Sequence, residues 1–295
     1  MLDKKTVIAL GYFDSVHNGH RKVLEQAKRI ANESNAQFVV FTFEKNVKAF
    51  FTEQEDKSVY TAEERQQILK ELGADEIFFA PVTKEFLGMK KEEFLNFLNE
   101  KYKISCYVSG SDYTFGRKGS GNIEYLKKYA ENNNQTYVMV DTVSFAERKI
   151  STTRIKELLK AGNVKSANYM LGRKYSVCGK VFSDRGMGRE LGFPTLNIKL
   201  QSDKFRLIDG VYKGHIFIDG KFYNTIINYG ARPTFGLNEK IVEAHVIDFE
   251  GDLYGQVVTV FFDAFIRNIM KFDSLTNLKK QLQFDMSAVR NGEYD

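Results

Sequence analysis

The spacing of apolar residues changes once along this chain, and that change constrains the fold more than any other feature. Through residue 150, short β-rich runs alternate with longer stretches whose apolar residues recur at helical spacing. Val7 to Leu10, Gln37 to Phe43, Glu76 to Pro81, Cys106 to Ser109 and Thr136 to Val140 read as strands. His20 to Asn32, Ala62 to Leu72, Lys91 to Lys101 and Ile123 to Asn132 read as the helices between them. Strand alternating with helix predicts an α/β unit on a parallel sheet. After Ser151 one more helical segment is expected to about Leu171. Short strands separated by Gly, Asp and Asn turns then take over: Ser176 to Phe182, Gly210 to Ile218, Lys221 to Asn228, Ile241 to Phe249 and Gln256 to Ile266. These predict a small antiparallel β-barrel. A closing helix over Asp273 to Ala288 presents Leu275, Leu278, Leu282, Met286 and Val289 on one face, with Ser274 near its start. The expected domains are therefore 1–172 and 173–295, each large enough for its own core.

Composition narrows the function classes. Acidic and basic residues balance over residues 1–150, so the net charge of +5 falls in the second half, where the basic residues are scattered. That distribution fits a nucleotide better than a nucleic-acid stripe or a membrane surface. Cys106 and Cys178 match neither a disulfide framework nor a zinc spacing, in keeping with a reducing, cytoplasmic compartment. The apolar run from Val7 to Phe13 ends at Asp14 and reads as a buried strand, not a signal segment. Oligomeric state leaves no mark in the sequence.

In the first half, the turn Gly11-Tyr-Phe-Asp-Ser-Val-His17-Asn-Gly-His20 follows a strand and opens a helix. In an open parallel sheet the ligand crevice lies beyond the carboxyl ends of the strands, where a helix N-terminus offers N–H groups to phosphate. His17 and His20 there suit hydrogen bonding to an α-phosphate during adenylyl transfer, which is electrostatic stabilisation and not proton transfer. A metal site and two plain surface histidines are the competing readings, and the metal site lacks further ligands. Downstream, Ile150-Ser151-Thr152-Thr-Arg154-Ile-Lys156 starts a helix. Its hydroxyls are either caps or phosphate ligands, and the two basic residues beside them favour a triphosphate.

In the second half, Gly186, Gly188 and Gly192 precede Pro194-Thr195-Leu-Asn197. The glycines let backbone N–H groups approach phosphate or simply make a tight turn; neither a Walker A loop nor a Rossmann fingerprint is present. Thr195 and Asn197, two apart on an extended segment, share one face and could reach one Mg²⁺ ion or else satisfy backbone groups. Glu243, on a predicted strand among apolar neighbours, is either an internal ion-pair partner or a group that orients a hydroxyl nucleophile. His245 shares its face. Thr195, Asn197 and Glu243 are expected to converge within one barrel pocket.

The G-x-F-D-x-x-H-x-G-H turn, the segment Ser109-Gly-Ser-Asp112-Tyr-Thr-Phe115-Gly116 and the I-S-T-T-x-x-K helix start resemble the adenylyltransferase half of the bifunctional bacterial riboflavin kinase/FAD synthetase family. The segments G-R-E-L-G-F-P-T-L-N, D-G-V-Y, N-Y-G-A-R-P-T-F, V-E-A-H, D-F-E-G-D-L-Y-G and K-F-D-S-L resemble its riboflavin kinase domain, in the same order. The resemblance implies an α/β Rossmann-like nucleotidyltransferase domain followed by a six-stranded antiparallel barrel with a C-terminal helix. It implies phosphorylation of riboflavin to FMN and adenylylation of FMN to FAD, both with Mg-ATP. It assigns Gly11, Phe13, Asp14, His17, His20, Ser151, Thr152, Arg154 and Lys156 to ATP and its phosphates, and Asp112, Phe115 and Arg232 to the flavin. In the barrel it assigns Gly186 and Gly188 to phosphate, Thr195 and Asn197 to Mg²⁺ and ATP, and Glu243 to the base. Tyr12, Ser15, Lys156 and the segment Phe41 to Val47 depart from the family pattern, which leaves one alternative: a kinase whose first domain only binds a flavin or nucleotide.

Overall fold

A computed structural model of the protein describes residues 4–52, 57–182, 195–231 and 240–294. The chain divides into two compact units, Met1–Thr152 and Thr153–Asp295.

The first unit is a five-stranded parallel sheet in the order β3-β2-β1-β4-β5. Its strands are β1 (Thr6–Leu10), β2 (Gln37–Phe43), β3 (Glu76–Ala80), β4 (Ile104–Gly110) and β5 (Thr136–Val140). Burial decreases from the centre outward: all of β1 is buried, whereas β3 and β5 are each buried only at their last residue. A central strand of a parallel sheet is covered on both faces, so it reads as an unbroken apolar run. The helices are α1 (Asn18–Glu33), α2 (Val47–Thr52), α3 (Ala62–Glu71), α4 (Lys84–Gly88), α5 (Lys91–Lys101) and α6 (Ile123–Asn132). Val23, Leu24, Ala27 and Ala31 form the buried stripe of α1, and Thr61 with Glu64 closes a capping box on α3. A short antiparallel pair, β6 (Ser144–Phe145) and β7 (Arg148–Lys149), precedes the second unit.

The single helix expected to Leu171 is two: α7 (Thr152–Lys160) and α8 (Val164–Leu171). Gly162, with φ +74°, supplies the left-handed residue at which the chain turns. Asn168 of α8 donates to Phe262 O at 2.8 Å and accepts from Tyr175 N–H at 2.7 Å. That pair pins the helix to the barrel.

The barrel closes in the order β10-β11-β12-β9-β8-β13. Its strands are β8 (Tyr175–Phe182), β9 (Thr195–Lys199), β10 (Gly210–Ile218), β11 (Lys221–Ala231), β12 (Lys240–Val246) and β13 (Val257–Arg267). Closure leaves no unpaired edge. Alternate residues fill the interior, where Tyr212 packs edge-on against Phe262 with centroids 5.3 Å apart and Tyr175 does so at 5.7 Å. The C-terminal helix α9 (Leu275–Arg290) is capped by the Ser274 hydroxyl. Only its last part docks: Val289 packs with Val211, Ile226 and Ile247, whereas Leu275 is exposed. The buried Asp285 carboxylate accepts two donors from Arg267, at 2.7 and 3.1 Å, and fastens this end to β13.

Candidate functional site

The turn from β1 to α1 is the most constrained stretch of backbone in the first unit. Phe13 (φ 45°) and Val16 (φ 42°) both occupy the left-handed region, which is costly for bulky and β-branched residues. Both side chains are buried, so packing holds the strained path. Gly11 is required beneath it, because a Cβ there would lie 2.7 Å from the Phe13 ring. The Asp14 carboxylate is buried and accepts from Val59 N–H at 3.0 Å, tying the turn to the following segment.

This path brings two imidazoles together. His17 caps α1, its Nδ1 accepting from His20 N–H at 3.1 Å. A neutral ring that accepts at Nδ1 carries its proton on Nε2, leaving that N–H to donate. The two rings stack with centroids 3.7 Å apart, and Phe13 meets His20 edge-on at 5.3 Å. Burial holds the His17 pKa down at about 4, and the Lys149 ammonium adds to the effect. His20 is also held well below the ordinary range, by burial and then by His17 and Lys149. Both rings are neutral at pH 7. His20 Nδ1 is buried and has no hydrogen-bond partner among the described residues.

Three other chain segments bear on this unit's site. Ser15 Oγ lies 2.8 Å from Thr152 Oγ1, so the turn is joined to the first residue of α7. Lys149, which the motifs did not single out, pairs with Asp112 at 2.5 Å, and its hydrogen bond, aided by its charge, holds that carboxyl below the usual range. Its signal was faint because β6 and β7 are two residues each. The Phe115 ring is buried in the core, 5.5 Å from Phe94 and 5.8 Å from Tyr113. Ser151 is half-buried at the start of α7. Arg154 and Lys156 belong to the second unit, where the Lys156 ammonium sits 5.6 Å from the centroid of Phe205.

In the barrel, antiparallel pairing sets Glu243 of β12 opposite Asn197 of β9, and His245 opposite Thr195. Thr195 Oγ1 donates to Glu243 Oε1 at 3.1 Å. Asn228 of β11 also faces Glu243 and donates from Nδ2 to Oε2 at 3.4 Å. Asn197 is buried, and its Oδ1 has no hydrogen-bond partner among the described residues. These side chains alternate with Leu196, Ile198, Val242 and Ala244, which are buried on the opposite face with the barrel interior. The structure sets the side chains of Thr195, Asn197 and Glu243 side by side on the outer face of the barrel. The reason is the period of two: an apolar lumen forces the polar alternates outward. Gly186, Gly188 and Arg232 lie outside the described residues.

Two family profiles match the chain, FAD synthetase over residues 1–154 and riboflavin kinase over residues 171–292. The chain belongs to the bifunctional riboflavin kinase/FMN adenylyltransferase family. A member of that family from Listeria monocytogenes is 30% identical, covering 98% of this chain and 92% of its own. Another, from Haemophilus influenzae, is 31% identical over 96% and 92% respectively. A solved structure described as a macrolide-efflux protein from Streptococcus pneumoniae superimposes with a TM-score of 0.87 at 30% identity, covering 98% of this chain and 95% of that one. Among the described residues, no helix is long and apolar enough to cross a membrane. The riboflavin kinase/FMN adenylyltransferase architecture therefore spans both units, with the paired histidines in the synthetase domain and the Thr195–Glu243 cluster in the kinase domain.

Proposed function

We propose that the outer-face cluster of the barrel transfers the γ-phosphoryl group of ATP to the terminal hydroxyl of riboflavin. The Thr195–Glu243 hydrogen bond carries this reading, because it joins a carboxylate to an oxygen that can still hold a metal. The hydroxyl oxygen attacks the γ-phosphorus, the bond from phosphorus to the β–γ bridging oxygen breaks, ADP leaves, and the hydroxyl proton passes to Glu243. In such transfers the protein contributes chiefly positioning and electrostatic stabilisation.

Mg²⁺ fits the residues present. Thr195 spends its only proton on Glu243 and keeps oxygen lone pairs, and Asn197 Oδ1 is a buried acceptor awaiting a partner. Oxygen ligands suit a hard cation that keeps waters and substrate phosphates in its shell. Among the described residues no cluster of three or more His, Cys, Asp or Glu could hold a metal. Thr195 and Asn197 would hold the ion, which would supply neutralisation of phosphate charge.

In the first unit, the neutral His17 and His20 donate hydrogen bonds to α-phosphate oxygens of ATP as FMN attacks and pyrophosphate leaves. Gly11, Phe13 and Asp14 fix the turn that presents them. In this unit Ser151 and Thr152 meet the triphosphate and Asp112 and Phe115 serve the flavin; Arg154 and Lys156, assigned to phosphate, and Arg232, assigned to the flavin, belong to the second unit. Low imidazole pKa values support hydrogen-bond donation over general-acid catalysis, since neither ring is an imidazolium at pH 7 and each keeps only its single neutral N–H. Chromatography of the flavins formed from riboflavin with Mg-ATP tests both halves. FMN followed by FAD is expected; FMN without FAD, even when FMN is supplied, would leave the first domain a binding module.

A further inference from the structure

The kinase reading uses the barrel face built by β11, β12 and β9, and it leaves the outer face where β10 pairs with β13 without a task. Directly opposed residues on antiparallel strands share a face. Pairing sets Phe217 of β10 opposite Phe222 of β11, and His215 opposite Phe261 of β13. His215 stacks on Phe261 with centroids 4.8 Å apart and planes 11° from parallel, and it meets Phe222 edge-on at 5.4 Å. Phe222 in turn touches Phe217 at 4.8 Å, and these two rings are 63% and 52% exposed. A single exposed apolar side chain needs no explanation. Two touching phenyl rings left in water beside an ordered imidazole form a surface against which a planar ring can lie.

A charged cluster adjoins the rings. The Asp263 carboxylate accepts from His215 Nδ1 at 2.8 Å and from Lys174 Nζ at 3.0 Å. An ionised carboxylate only accepts, so the imidazole proton lies on Nδ1, and Nε2 of the neutral ring is an acceptor. Two residues before His215, Lys213 is buried. Burial pushes its pKa down, the Asp263 carboxylate opposes that, and the charges of Lys165 and Lys174 add to it. Three ammonium groups therefore gather about Asp263, and a bound anion would relieve their mutual repulsion. Lys174 keeps half of its side chain in solvent, where such an anion can reach it.

We propose that this face is a further binding site, for a planar ring carrying a phosphate, and that its ligand is FMN. The 51° tilt between Phe217 and Phe222 lets one of them stack on the isoalloxazine while the other meets its edge. The imide N–H of the flavin donates to His215 Nε2. The phosphate, at the far end of the ribityl chain, pairs with Lys174, which a single carboxylate separates from the imidazole. FMN suits the site because one domain of this family makes it and the other consumes it, so the chain always works in its presence. The site involves none of the groups assigned to phosphoryl transfer and stands whether or not Glu243 is the base.

Equilibrium dialysis of the full-length protein against FMN, without ATP and up to about 1 mM free ligand, tests the idea. Phe222→Ala should weaken one class of FMN site about tenfold, the worth of one stacked ring. Lys174→Glu should remove that class, so that the variant binds one FMN fewer per chain than the parent. Both side chains are exposed, so both variants should fold. FMN formation from riboflavin and FAD formation from supplied FMN should stay at parental rates, which reports that the two active sites are intact. Riboflavin, which lacks the phosphate, should bind the additional site at least about tenfold more weakly than FMN. Equal FMN stoichiometry and affinity in the parent and both variants would overturn the proposal. Riboflavin binding there as tightly as FMN would overturn it too, because the ammonium groups would then contribute nothing. So would AMP binding there more tightly than FMN, which would make it a site for adenine nucleotides.

Discussion

The hydroxyl of Thr195 points its proton at Oε1 of Glu243 from 3.1 Å, across two strands whose pairing fixes both backbones. One bond therefore couples an oxygen suited to a metal with a carboxylate suited to take a proton. Each side chain alone has an ordinary explanation in a barrel. Together with the orphaned acceptor of Asn197 opposite Glu243, they do not.

Asn197 should trade stability for function. A buried acceptor without a partner costs about 1–3 kcal/mol, and a leucine of similar size removes that penalty. Asn197→Leu is expected to match or exceed the parent in urea stability while FMN formation demands far more Mg²⁺. Denaturant midpoints and a Mg²⁺ titration of the kinase rate check this together.

Ser15 and Thr152 should matter to the other activity. Their hydroxyls satisfy each other at 2.8 Å, and Ser15 is fully buried. Ser15→Ala leaves Thr152 without that partner and releases the start of α7 from the histidine turn. FAD formation from FMN should fall several-fold with a raised KM for ATP, at a cost of about 1 kcal/mol in stability. FMN formation from riboflavin should be unchanged. Steady-state kinetics of the two reactions on one preparation give the comparison.

The first unit should weaken in acid because of His17. Its pKa is about 4 in the folded protein against 6.5 for a free imidazole. Above pH 6.5 neither state binds the proton and the full stability is present. Between about 6.5 and 4 the unfolded chain is protonated first, so stability is lost as pH falls, by up to roughly 3 kcal/mol. Cys106 is buried in β4 and gives a probe confined to this unit. In a Cys178→Ser background, thiol labelling of Cys106 across a urea series should show midpoints falling through that window. His17→Asn, which keeps a capping side chain, should flatten the dependence.

Most of this architecture was legible in the sequence because periodicity and burial agree. β2, β5, β10, α5 and α6 fall on the limits that the pattern predicts, since each has one clearly apolar face or lies fully inside. The break at Gly162 was missed because α7 and α8 keep their apolar residues nearly in phase across it, so the pattern reads through the turn. β9 was legible only as an extended segment, five residues long and lacking a turn signal of its own. For the site, the motifs named Thr195, Asn197 and Glu243, but no local rule says which side of a barrel an alternating residue faces. Nor could spacing reveal Asn228 or Lys149. Each becomes meaningful through a partner far away in sequence, Glu243 for one and Asp112 with the histidines for the other.

The measurement that bears most directly on this account is the rate of FMN formation by Glu243→Gln with riboflavin and saturating Mg-ATP. Loss of the general base should slow it by about 10² to 10⁴, while FAD formation from supplied FMN stays at the parental rate. Parental rates in both reactions would contradict the assignment of the Thr195–Asn197–Glu243 cluster as the phosphoryl-transfer site.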